Sequence, residues 1–87
     1  MEGNTAVFKP SEDTPAIGQK LIELFDEAGF PPGVVNLIHG VGEETGEALV
    51  RHPDVDVICF TGSYEVGSKI KRICAEDYRK MAVCEMG

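Results

Sequence analysis

Two short stretches of this chain carry side chains and turns suited to gripping a phosphorylated ligand. In the first, the apolar run Val57-Ile58-Cys59-Phe60 ends in Thr61-Gly62-Ser63 and passes at once into a segment with Val66, Ile70, Ile73 and Cys74 at helical spacing. Such a junction lets a ligand approach the backbone at Gly62 and opens a helix at Ser63, whose hydroxyl and following N–H groups can donate together to an anion. A plain helix N-cap is the alternative reading of Ser63, and the two are compatible. In the second, about fifty residues upstream, Ala6-Val7-Phe8 ends in Lys9-Pro10-Ser11-Glu12. Lys9 and Glu12 are spaced to flank a diol, the ammonium donating to hydroxyl oxygens and the carboxylate accepting from them. The alternative is a surface ion pair, worth about 0–1 kcal/mol.

A third stretch, Gly40-Val41-Gly42-Glu43-Glu44-Thr45-Gly46, nearly matches the G-x-G-x-x-G dinucleotide fingerprint, but its last glycine arrives one residue late. Two glutamates stand where a pyrophosphate would lie, which favours an ordinary turn over a phosphate loop. No metal-ligand set is evident, because His39 and His52 are isolated from each other and the cysteines lack C-x-x-C spacing. His39, at a strand end, reads as a half-buried polar residue.

The elements that must position these residues are legible in the hydrophobic pattern. Strands are expected at Ala6-Val7-Phe8, Val34-Val35-Asn36-Leu37-Ile38, Val57-Ile58-Cys59-Phe60 and Met81-Ala82-Val83-Cys84. Thr14-Pro15 gives an N-cap hydroxyl and a proline at the first helical position, and Ile17, Leu21, Leu24, Phe25 and Ala28 follow at helical spacing until Gly29. A second helix is expected from the glycine corner through Glu43-Glu44 to Ala48-Leu49-Val50, ended by His52-Pro53, and a third from Ser63 onward. The β-α-β-α-β-α-β order argues for right-handed crossovers and a parallel α/β sheet. If the first and third strands share that sheet, their C-terminal ends lie on the edge where open α/β sheets bind nucleotides.

Composition sets the outer limits. The chain has 87 residues, 43% of them hydrophobic and 26% charged, which suits a packed soluble segment of one domain at most. A chain this short buries only about 60–65% of the surface of its unfolded form, so its stability alone is marginal. A formal charge of −7, from 15 acidic and 8 basic residues, disfavours nucleic acid and anionic membrane surfaces. The basic group Lys69, Lys71, Arg72, Arg79 and Lys80 reads as a solvated helix face. No apolar run approaches the length of a bilayer span and no leader pattern opens the chain, so a cytoplasmic location is expected. Cys59, Cys74 and Cys84 are each expected to act as small core hydrophobes rather than disulfide partners.

At these same residues the chain resembles the aldehyde dehydrogenase superfamily. The matching stretches are Gly3-Asn4-Thr5 leading to Lys9-Pro10-Ser11-Glu12, Pro31-Pro32-Gly33-Val34-Val35-Asn36, Phe60 to Gly67, and Glu85-Met86-Gly87. They occur in the family's order and spacing and cover almost the whole chain. The resemblance implies a partial Rossmann-like coenzyme domain over residues 1–87, part of an NAD-dependent enzyme that oxidises an aldehyde to a carboxylic acid through a cysteine thioester. It implies that Lys9 and Glu12 serve the ribose, with Ser11 between them a further coenzyme-binding candidate, and that Gly62 and Ser63 serve the diphosphate. Gly46 and Val66 would line an adenine slot between the second and third helices, and Gly42 is a further candidate for contact with the coenzyme. Glu12 would repel a 2′-phosphate, so NAD is favoured over NADP.

Glu85 matches the glutamate of the family's Glu-Leu-Gly-Gly element, a general base for thioester hydrolysis, with Met86 in place of the leucine. Desolvation at a strand end would raise its pKa towards neutral. The nucleophilic cysteine matches none of the three here, and strand alternation turns Cys84 away from Glu85. By resemblance the full-length enzyme is a homo-oligomer and this chain a fragment, inactive by itself. The alternatives are a free-standing, non-catalytic nucleotide-binding or regulatory module, and a structural or degenerate fragment.

Overall fold

The computed structural model describes residues 3–87. Four parallel-paired strands alternate with three helices: β1 (Ala6–Phe8), α1 (Pro15–Glu27), β2 (Val35–Leu37), α2 (Glu47–Arg51), β3 (Val57–Thr61), α3 (Tyr64–Ala75) and β4 (Met81–Glu85). A π-helical turn, Gly42–Gly46, leads into α2. The pairing is parallel, as the α/β reading requires, but it forms two separate two-stranded ladders in place of the one sheet expected: β1 with β2, and β3 with β4. The chain divides into two compact units, one up to Thr45 and one from Gly46 onward.

In the first unit, β1 and β2 run in register from Ala6 opposite Val35 to Phe8 opposite Leu37. The Asn36 side chain donates to the carbonyls of Ala6 and Gly33, at 3.2 and 2.9 Å, and so fastens the Pro-Pro-Gly turn to the strand pair. Pro15 sits in the first turn of α1 as expected, but the Thr14 hydroxyl makes no capping bond. The hydroxyl of Ser11 accepts from the Asp13 N–H instead, at 3.2 Å, and the Thr14 N–H donates to the Ser11 carbonyl, so the turn before the helix is tied one step earlier. At the other end Gly29, at φ 90°, permits a Schellman closure: Phe30 N–H donates to Phe25 O and Gly29 N–H to Asp26 O. The Phe25 and Phe30 rings meet edge-on at 4.9 Å and complete it.

The second unit holds a small core of Val50, Ile70 and Cys74, against which Ile58, Phe60, Ile73, Ala82 and Cys84 pack. Strands β3 and β4 alternate strictly, so Ile58 and Phe60 with Ala82 and Cys84 face α3 while Val57, Cys59, Met81 and Val83 are exposed. The apolar run of β3 is therefore buried on one face rather than two. Cys59 departs from the core role expected of it because its odd place in the alternation turns it outward; Cys74 is buried and Cys84 half-buried. The ladder is pinned at both ends. Lys80 donates to the carbonyls of His52 and Val55 and Met81 N–H to Asp56 O before the strands begin. Gly62 N–H donates to Glu85 O, at 3.0 Å, as they finish. No helix among the described residues is long and apolar enough to cross a membrane.

Candidate functional site

Each unit positions its own set of the residues singled out by sequence. In the second, Ser63 is the N-cap of α3 in extended conformation, its Oγ accepting from the Val66 N–H at 3.2 Å. Its carbonyl accepts from Gly67 N–H, whereas the N–H groups of Tyr64 and Glu65 make no hydrogen bond among the described residues. With the Ser63 hydroxyl proton, these are three donors at the positive end of a twelve-residue helix. Ser63 is exposed, and Glu65 adds one opposing charge in the same turn. The cap role and the anion role of Ser63 thus use different atoms.

The glycines around this turn are closely approached by the protein's own side chains. A Cβ on Gly62 would lie 2.5 Å from Cζ of Phe60, and one on Gly67 would collide with the Met86 thioether. Phe60 and Met86 hold the turn and the first part of α3 against the strands. The sequence reading missed Gly67 and Met86 as supports of the site; the buried glycine inside an amphipathic helix was the available signal.

Glu85 lies in register with Thr61, one residue before the Gly62-Ser63 turn, and its backbone carbonyl is bonded to that turn. The structure therefore brings Gly62, Ser63 and Glu85 to one end of the β3–β4 ladder. The Glu85 carboxylate is exposed, because it occupies the strand face away from α3, and Oε1 accepts from the Gly87 N–H at 2.8 Å. The desolvation expected at this position is not present. Cys84 faces the opposite way, its Sγ 3.9 Å from the Gly67 carbonyl. Burial pushes the Cys74 thiol above its ordinary pKa, which suits a packing role and not a nucleophile.

Gly46 caps α2 and Val66 stands on the first turn of α3, 46% exposed. The carboxylate of Glu47 forms an ion pair with Lys69 across the two helices and with Arg51 along α2, the latter at 3.3 Å. Hydrogen bonds from Lys69 and then Arg51 hold the Glu47 carboxyl below its ordinary value of 4.5. Asp77 is held below 3.8 in the same way by the Arg79 side chain and backbone N–H. Carboxyls depressed by folding stabilise the chain above their unfolded pKa, and that contribution disappears as pH falls through the folded value. Thermal unfolding followed from about pH 5 to pH 3 should show a falling midpoint. The fall should be shallower in the Glu47→Gln, Asp77→Asn double variant; equal slopes would refute this account.

In the first unit Lys9, Ser11 and Glu12 follow β1 directly. Lys9 does not pair with Glu12: its Nζ donates to the carbonyls of Pro10 and Gly40, at 3.1 and 3.2 Å, leaving one N–H for another acceptor. Glu12 and Ser11 are exposed, and Glu12 makes no ion pair among the described residues. Pro10 is buried against Gly18 of α1, where a Cβ would lie 2.6 Å from the ring. Gly42 opens the π-helical turn and is exposed; the glycine that arrives one residue late, Gly46, falls at the end of that wider turn. His39 is exposed rather than half-buried, lying just past the paired part of β2. No cluster of three or more His, Cys, Asp or Glu able to hold a metal occurs among the described residues.

Comparison with known proteins identifies the family. The chain is 49% identical over all 87 residues to an N-succinylglutamate 5-semialdehyde dehydrogenase of Yersinia pseudotuberculosis serotype IB (strain PB1/+), of which it covers 17%. It superimposes on the 1-pyrroline-5-carboxylate dehydrogenase from Thermus with bound NAD at a TM-score of 0.91, with 50% identity over 98% of this chain and 17% of that one. The NAD-dependent aldehyde dehydrogenase from Sinorhizobium meliloti gives a TM-score of 0.88 and 43% identity, over 95% of this chain and 16% of that one. The chain thus spans a small part of the length of the relatives it matches. With the model of the aldehyde dehydrogenase family matching residues 1–87, the chain belongs to that family.

Proposed function

We propose that residues 1–87 form part of the coenzyme domain of an NAD-dependent aldehyde dehydrogenase, which oxidises an aldehyde to a carboxylic acid. The observation that carries this reading is the end of the β3–β4 ladder, where three donors at Ser63, Tyr64 and Glu65 open α3 directly after a turn whose Gly62 N–H is bonded to the Glu85 carbonyl. The donors suit a diphosphate, being uncharged and otherwise unpaired. In the first unit, Lys9 offers one remaining N–H and Glu12 an unpaired carboxylate, which suits one donor and one acceptor for a ribose diol. Two of the three ammonium protons of Lys9 are engaged, so it offers a 2′-phosphate little beyond its charge, and Glu12 repels one. NAD is therefore the coenzyme we assign.

The coenzyme, when bound, supplies the hydride acceptor. The chain's own residues bind and orient it and handle a proton. The Glu85 carboxylate, whose Oε1 accepts one hydrogen bond from the Gly87 N–H, keeps free lone pairs with which to take a proton from attacking water. None of Cys59, Cys74 and Cys84 is assigned the nucleophile.

Titration of the chain with NAD, followed by amide NMR shifts, tests the reading. Shifts are expected at Ser63 to Val66 and at Glu12, with weak affinity. Ser63→Gly keeps a serviceable helix cap, costing only a few tenths of a kcal/mol, and should weaken NAD about tenfold. Glu12→Gln should narrow the gap between NAD and NADP. NAD that perturbs neither stretch would overturn the coenzyme reading.

A further inference from the structure

We propose that Glu47 and Lys69 form a latch that fixes the placement of α2 against α3, and so act as positioning residues for the adenine ring assigned to Gly46 and Val66. The inference rests on that assignment and adds to it the device that holds the two sides. Glu47 follows Gly46 directly and is the first residue of α2, while Lys69 lies three residues after Val66, on the same face of α3. The ion pair therefore joins the two helices beside the residues in question. Both oxygens of Glu47 are committed, one to Lys69 across the gap and one to Arg51 along α2. A five-residue helix cannot hold itself, so the placement of α2 depends on what it touches: Val50 anchors one side in the core and Glu47 the other.

The pair is half exposed, with Glu47 at 31% and Lys69 at 53%, so its contribution to global stability is small. Its effect should appear in where α2 rests. Titration of 5′-AMP into the chain, read by the amide shifts of Gly46 and Val66, measures this. Glu47→Gln and Lys69→Met should each weaken AMP two- to fivefold, the double variant no more than either single one, and Lys69→Arg should restore the original affinity. Amide exchange at Leu49, Val50 and Arg51 should quicken in both single variants while the urea midpoint of the chain stays within error. AMP affinity indifferent to both substitutions, or losses that add in the double variant, would sink the latch alone. An unaltered chain that binds no AMP would sink the adenine assignment, and the latch's role with it.

Discussion

Gly18→Val should lower the stability of the chain by about 3 kcal/mol. Glycine inside a helix ordinarily costs about 1 kcal/mol relative to alanine, so a substitution at Gly18 would gain that much if there were room. There is none: a Cβ would lie 2.6 Å from both Cβ and Cγ of Pro10, and a pyrrolidine ring cannot rotate away as a flexible side chain would. Relief requires moving α1 or the segment after β1. That segment is Lys9 to Glu12, so the substitution should also disturb the hydrogen bond from Lys9 to the Gly40 carbonyl. The urea midpoint measures the first effect, and the NMR signals of Gly40 and its neighbours report the second. Gly18→Ala serves as the control for sign, and a midpoint that rises with alanine would show that Pro10 does not press on this position.

Ile70→Ala should be of similar or greater severity, about 3–4 kcal/mol. Ile70 is one of the three buried core side chains among the described residues, and α3 depends on it for its seat on β3 and β4. Small domains have only about 0.05–0.15 kcal/mol of stability per residue, so such a loss would leave much of the chain unfolded at 25 °C. Ile70→Val removes one methylene and should cost only about 1 kcal/mol, which keeps the comparison measurable by denaturation. Near-equal midpoints for the two variants would mean that α3 is held by something other than this core.

The elements were legible because their hydrophobic spacing is unambiguous. All four strands and the first and third helices fall within a residue or two of the positions read from Ala6-Val7-Phe8, Val57 to Phe60 and the Ile70-Ile73-Cys74 stripe. Period alone does not say how many faces of a strand are covered. Val57-Ile58-Cys59-Phe60 is continuously apolar, yet only Ile58 and Phe60 pack against the core. Capping was half legible: Pro15 marked the helix start, but whether Thr14 or Ser11 ties the turn depends on a backbone angle that residue type does not dictate. Gly18, Gly62 and Gly67 owe their lack of a Cβ to Pro10, Phe60 and Met86. Two of those three partners lie eight and nineteen residues away along the chain, beyond what local pattern can reveal. The ion pair of Glu47 with Lys69 is of the same kind, while that with Arg51 follows the i,i+4 rule and could be read directly.

Fastening the β3–β4 ladder at both ends has a consequence for how this segment tolerates change in length. Inserting or deleting one residue within β4 would force either a bulge or a slip of the rest of the strand by one place, and a slip exchanges its two faces. With an insertion, the thiol of Cys84 would stand at the rim where the carboxylate of Glu85 belongs, and that carboxylate would take the place of the Met86 thioether against Gly67. Lys80, anchored on His52 and Val55, and Gly62, anchored on Glu85, act as start and stop marks against that error. Changes of length in this half of the chain should therefore be tolerated only in loops outside those two marks.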